Sequence, residues 1–195
     1  TMIKKEKPDI VAICTKADVH SQIGIKVSNL NVPMIYLEKA IACSLKESDV
    51  LKSTCLKNQT IFNTGVMRRF DSVYNTVHKL INSGVIGTLE SIIQYAHTTL
   101  LHGHIHSIDT ISFLNNDIKI KGIRGHLSTT PAPWEPLTIS NDISFKNNKL
   151  ESDPSSTFEM VFENGVKAWS IPTGKWGFEI IGTKGSIRTY ENERE

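Results

Sequence analysis

The chain is poor in cysteine. Cys14, Cys43 and Cys55 are the only three in 195 residues. They are odd in number and far apart, with no Cys-x-x-Cys, which excludes a disulfide framework and a cysteine-rich zinc site. Charge of one sign is also lacking: 22 Lys and Arg stand against 20 Asp and Glu, a formal charge of +2. The basic residues are scattered, so no stripe for a nucleic acid forms. No apolar run approaches the roughly 18 residues of a membrane span, and no secretory h-region is present. No internal repeat or long low-complexity segment occurs. Gly-x-Gly-x-x-Gly is missing from these residues, and with it the turn that cradles a dinucleotide phosphate. Either the protein binds no dinucleotide, or the first βαβ half of such a fold is absent.

What is there is ordinary globular material, 39% hydrophobic and 22% charged. The length suits one sizeable core or two small domains. Together these features point to a reducing, cytoplasmic setting and a small-molecule partner, with no nucleic acid and no membrane. Thr1 precedes Met2 and a strand begins almost at once, so the chain is expected to be cut from something longer.

The first third alternates strands and helices. Ile10 to Cys14 is a continuous apolar run, as a doubly covered parallel strand requires. Asp18 is placed to cap a helix through about Leu30, and Val32 to Leu37 reads as the next strand. Ser44-Leu45-Lys46-Glu47 matches a capping box for a helix to about Lys57, and Thr60 to Thr64 supplies a third strand. This spacing predicts right-handed βαβ units and a parallel sheet. Asp71 caps a further helix whose stripe is Val73, Tyr74, Val77, Leu80 and Ile81, with Gly84 as its stop.

From about Thr88 the pattern changes to strands and hairpins. Thr88 to His97 and Ile118 to Gly125 alternate as strands. Thr157 to Phe162 and Val166 to Ile171 flank Asn164-Gly165, for which a type I′ turn is expected. Phe178 to Gly182 and Ser186 to Tyr190 form a second pair. A mainly antiparallel sheet, packed on helices over one face, follows. Pro131, Pro133 and Pro136 around Trp134 predict a rigid connection that the tryptophan anchors.

Three stretches carry candidate chemistry. Glu38-Lys39 closes the second strand, where an ammonium can stand over the ligand crevice of an open α/β sheet or merely be the solvated strand end. Arg68-Arg69 can meet phosphate or carboxylate ligands, or pair with surface carboxylates. In Leu101-His102-Gly103-His104-Ile105-His106, a strand would aim all three histidines one way as a metal site. A helix would instead align His102, His106, Asp109 and Phe113, with Ile105, Ile108, Ile111 and Leu114 facing the core. The helix is the expectation, because it supplies that apolar stripe. Histidines that only hydrogen-bond in the core are the remaining alternative.

The series PDIVAICTKADVH, VPMIYLEKAIACSLKESD and TGVMRRFDSVYNTVHKLINSGVIGTLESI resembles the Gfo/Idh/MocA oxidoreductases, the glucose-fructose oxidoreductase and inositol dehydrogenase superfamily. The resemblance continues through IHSIDTISFL, FENGVKAWS and EIIGTKGSIR and weakens across about residues 115–156. It implies a truncated member: residues 1–66 as the carboxyl-terminal half of a Rossmann domain, and 67–195 as a substrate-binding and dimerisation α+β domain lacking its end.

The resemblance further implies an NAD- or NADP-dependent oxidoreductase acting on a polyol, sugar or sugar derivative, homo-oligomeric when intact. Lys39 would exchange the hydroxyl proton and His106 would position or relay it. His102 stands where the family often has Asp, and Ala40 where it has proline. Thr15, His20, Glu38 and Met67 would lie on the cofactor side. The rivals are a non-catalytic remnant serving as an interaction domain, and a metal-dependent hydrolase built on the histidines.

Overall fold

A computed structural model describes residues 2–100, 102–131 and 154–190. They divide into two compact units, one ending at Val66 and the other beginning at Met67.

The first unit opens with a short helix, α1 (Met2–Glu6). It continues β1 (Ile10–Ile13), α2 (Ala17–Ser28), β2 (Met34–Leu37), α3 (Leu45–Lys57) and β3 (Ile61–Thr64). The strands form one parallel sheet in the order β1-β2-β3. Ile13, Val27, Val32, Ile35, Leu37, Leu51 and Cys55 make its core. Helix α2 buries small residues, Ser21, Gly24 and Ser28. A Cβ added at Gly24 would lie 2.8 Å from Leu51 Cδ1, so glycine sets how closely α2 approaches α3.

The cap on α3 forms as the sequence implies at one end only. Ser44 Oγ accepts from the Glu47 amide at 3.2 Å, but the Glu47 carboxylate accepts from the Cys43 amide, one residue before the cap. Asp18 does not cap α2. Lys16 holds that position without a side-chain bond, and Asp18 sits in the first turn, where a carboxylate favours the positive end of the helix.

The second unit begins with a 3-10 turn at Met67–Phe70, then α4 (Ser72–Asn82), β4 (Leu89–Tyr95) and α5 (His104–Leu114). It ends with β5 (Ile120–Pro131), β6 (Pro154–Phe162), β7 (Lys167–Ile171), β8 (Gly177–Gly182) and β9 (Gly185–Tyr190). Its six strands are ordered β5-β6-β7-β4-β8-β9. Every pairing is antiparallel except β4 with β7. Tyr74, Val77 and Ile81 of α4 and Ile111 and Leu114 of α5 pack on Ile92, Met160, Ala168, Phe178 and Ile180 of the sheet. Asp71 caps α4 by accepting from the Val73 amide, and Gly84 takes φ +76° beyond its end.

Two details depart from the sequence reading. The β6–β7 turn is not type I′, since Gly165 alone takes positive φ there, at +85°. Gly165 N donates to Phe162 O at 3.0 Å and Phe162 N to Val166 O at 2.9 Å, giving a three-residue loop that ends in a left-handed glycine. Asn164 is instead held by a pair of side-chain bonds with Asn115. Pro131 ends β5 rather than beginning a connection. Pro133, Trp134 and Pro136 lie outside the described residues.

Candidate active site

In the first unit, the polar groups gather at the carboxyl ends of the parallel strands. Glu38 N donates to Ile13 O at 2.9 Å and Gly65 N to Leu37 O at 3.0 Å, so the ladder carries both Glu38 and Gly65 to the rim of the sheet. Tyr36 Oη and the Glu38 carboxylate close over Gly65, where a Cβ would collide with the carboxylate and lie 2.9 Å from the hydroxyl. Lys39 and Ala40 follow as partly buried residues. Thr15, after β1, is exposed.

His20, which the resemblance puts on the cofactor side, is 0% exposed. Its Nδ1 lies 2.6 Å from Ala40 O and its Nε2 2.8 Å from Thr15 O. Thr64 Oγ1 and Asp18 Oδ1 are buried without a hydrogen-bond partner among the described residues. Buried polar atoms of that kind normally find one. Cys43, in the connection after Lys39, has its thiol pushed up to about 11 by burial, then by Glu47 and Asp18.

In the second unit the histidine stretch is divided by the helix start. Thr99 O accepts from the Gly103 and His104 amides, and α5 runs from His104, leaving His102 exposed ahead of it. Of the expected stripe, Ile111 and Leu114 are buried in the core and Ile108 packs against it, and His104, Ser107 and Thr110 are buried beside them. His104 is fully buried, with Nε2 2.8 Å from Ser156 O and its ring edge-on to Phe158. His106 is partly buried on another side of the helix. Among the described residues, no three His, Cys, Asp or Glu side chains come together as a metal site.

Both arginines of the 3-10 turn take structural partners. Arg69 pairs with Asp109 and Asp117, and those bonds raise its pKa well above the usual value for arginine. Asp109 is therefore committed to Arg69. Arg68 stands 4.1 Å over the Trp176 ring, whose Nε1 donates to Tyr74 Oη at 3.0 Å. Burial raises the Tyr74 pKa against the opposing effects of that bond and of Arg68. Met67, opening the turn, is 56% exposed.

No protein-family model matches the chain, and no curated protein matches it in sequence. Solved structures do match. The myo-inositol 2-dehydrogenase of Lactobacillus plantarum superposes with a TM-score of 0.76 at 20% identity, covering 96% of this chain and 59% of its own. The WlbA dehydrogenase of Bordetella pertussis, in complex with NADH and UDP-GlcNAcA, gives 0.76 at 13% identity, covering 96% and 57%. An inositol dehydrogenase homolog of Azotobacter vinelandii, complexed with NADH and myo-inositol, gives 0.73 at 14% identity, covering 93% and 50%. The chain has the fold of these dehydrogenases. It spans between half and three fifths of their length.

Within this dehydrogenase fold, Thr15, Glu38 and Lys39 share one rim in the first unit. His102 and His106 bracket the start of α5 in the second, and Met67 begins the second unit. Sequence reasoning passed over Gly65 and Tyr36. The signal for Gly65 was its place directly after a parallel strand, where a bare backbone admits neighbouring groups. Tyr36, within an apolar run, gave none.

Proposed function

We propose that this protein is part of an NAD- or NADP-dependent oxidoreductase that moves hydride between nicotinamide and a polyol, sugar or sugar derivative. The observation that carries the reading is Glu38-Lys39 at the carboxyl end of β2, the central strand of a parallel sheet in a dehydrogenase fold. Residues 1–66 then act as half of the dinucleotide-binding domain, and residues from 67 as the substrate-binding domain.

The residues at the rim suit a polar cofactor edge. Thr64 Oγ1 and Asp18 Oδ1 are buried polar atoms short of partners among the described residues, and Thr15 and Glu38 lie beside them in the chain order of the strand ends. A bound nicotinamide supplies the hydride acceptor or donor. Lys39 takes or returns the proton of the substrate hydroxyl, and His106 orients that oxygen or relays its proton. Met67 offers an exposed apolar contact, and His20 acts from behind the surface.

A homo-oligomer belongs to the same reading. Ile93, Trp169, Val161 and Ile181 occupy the sheet face opposite the helices and remain only partly buried, a surface a second copy would cover.

The test supplies the chain with the amino-terminal residues of the L. plantarum enzyme and follows nicotinamide reduction with myo-inositol and related polyols. Lys39→Ala and His106→Ala are expected to lower kcat on the order of 10² to 10⁴-fold while cofactor KM changes little. His102→Asp is expected to keep or raise activity, since it gives His106 a carboxylate partner. A chimera that folds and binds cofactor yet oxidises none of these substrates would favour the interaction-domain reading, to which His102 and Ala40 lend support.

A further inference from the structure

On the open sheet face of the second unit, one cross-strand row reads Tyr95, Gly177 and Tyr190 on β4, β8 and β9, and the next reads Ile93, Glu179 and Arg188. Side chains in register stand beside one another, so the glycine leaves a gap between two tyrosines. Glycine is required there for a separate reason, because a Cβ on Gly177 would lie 2.5 Å from Thr189 O of the neighbouring strand. The gap opens into a hollow of about 380 Å³, closed at one end by Trp176 and the turn of Thr173, Gly174 and Lys175.

The Arg188 guanidinium forms the polar wall of this hollow. Its Cζ lies 5.1 Å from the centre of the Tyr95 ring and 5.3 Å from that of Tyr190, so two cation–π contacts hold it in place. Glu179, opposite Arg188 on β8, accepts instead from Tyr95 Oη at 2.6 Å, and among the described residues Arg188 forms no ion pair. The bond to Glu179, with burial, raises the Tyr95 pKa against the opposing effect of the Arg188 charge. Arg188 and Lys175 both line the hollow, and among the described residues no carboxylate does.

We propose that this hollow binds a small aromatic carboxylate, with the carboxylate on the Arg188 guanidinium and the ring over Gly177 against Tyr95 and Tyr190. A guanidinium offers a planar fork of donors that matches a carboxylate, and here the two rings fix it before a ligand arrives. The rest of the lining suits a flat apolar body: Tyr190 is 62% exposed and gains cover, and the bare Gly177 backbone lets a ring come close. The site uses none of the residues assigned above to hydride and proton transfer, and it does not rest on that assignment. The competing occupant is a second copy of the chain, since Ile93 and Ile181 share this sheet face.

The experiment titrates the nitrogen-15-labelled chain with 2-naphthoate, and with the neutral 2-naphthamide, at constant ionic strength and follows the nitrogen-proton spectrum. Naphthoate is expected to bind with a Kd on the order of 1 mM or tighter, shifting the signals of Gly177, Arg188 and Tyr190. Naphthamide should bind about tenfold more weakly, and Arg188→Gln should weaken naphthoate by about the same factor, as loss of a charge-assisted bond requires. Arg124→Gln, elsewhere on the same face, should leave the Kd unchanged. Equal affinity for the two probes, wild-type affinity in Arg188→Gln, or shifts centred away from Gly177 would each overturn the proposal. Signals of the hollow that move with protein concentration and not with naphthoate would assign it to a second copy and overturn it as well. If Arg188→Gln does not fold, the comparison of the two probes on the wild-type chain still decides. Neither cofactor nor catalysis enters the measurement, so an inactive chain leaves the result standing.

Discussion

Arg69 grips Asp109 with two nitrogens: Nε lies 3.0 and 3.1 Å from the two carboxylate oxygens, and Nη2 lies 2.7 Å from Oδ1. The pair joins the 3-10 turn at the start of the second unit to α5, three residues beyond His106. It is largely buried, with side-chain exposures of 26% and 16%. Asp117, 57% exposed, extends it toward water.

Removing the cation should therefore cost more than removing the outer carboxylate. Arg69→Ala strands a mostly buried Asp109 and is expected to lower stability by about 2 kcal/mol. Asp117→Ala should cost roughly 0.5 kcal/mol or less, as for exposed pairs. Urea titrations of the two variants and of Arg69→Ala/Asp109→Ala check this. The double variant should recover part of the loss, because the stranded charge is gone.

The adjacent histidines should separate by stability. His104→Ala opens a cavity and leaves Ser156 O without its donor, an expected loss of about 2–3 kcal/mol. Exposed His102→Ala should change stability by roughly 0.5 kcal/mol or less. Equal thermal midpoints for the two variants would contradict the placement of His104.

Gly65 is tight on one side only. Gly65→Ala forces a methyl against the Glu38 carboxylate and Tyr36 Oη, and overpacking of this kind costs roughly 1–3 kcal/mol. Shortening the neighbour should relieve it. Glu38→Ala in the Gly65→Ala background is expected to recover stability, and a double-mutant cycle by denaturant unfolding measures the coupling.

Cys43 gives a pH signature. Its pKa rises from 9.0 to about 11 in the folded chain, chiefly through burial, with Glu47 and Asp18 adding to it. The unfolded thiol ionises first, so this contribution is fully present below pH 9.0 and is lost as pH rises to about 11. Stability should fall over that window in wild type and fall less in Cys43→Ala. Alkylation of Cys43 should lag behind that of exposed Cys14 at pH 8, read by mass spectrometry of the labelled peptides.

The order of elements was legible in the sequence because it rests on local signals. The apolar runs at Ile10 and Met34, the Ser44 and Asp71 caps and the Gly84 stop each act within a few residues. The spacing that changes from crossover helices to hairpins separates a parallel from a mainly antiparallel sheet, since parallel strands require long connections. Glu38-Lys39 at a strand end followed from the same reasoning.

Only the tertiary structure decided what depends on partners distant in sequence. Val161, Val166, Ala168 and Ile180 are all apolar residues in or next to strands. Register put Val161 on the open face with Trp169, and the other three were buried in the core beneath the helices. Asp109 could have joined the histidines, but Arg69, 40 residues away, took it. His104 and His20 became interior residues because Ser156 O, Thr15 O and Ala40 O stood where their rings could bond. Residue type and spacing fix which chemistry a side chain can perform, but a buried polar group goes to the partner that folding brings within bonding distance, and that distance is not written in local sequence.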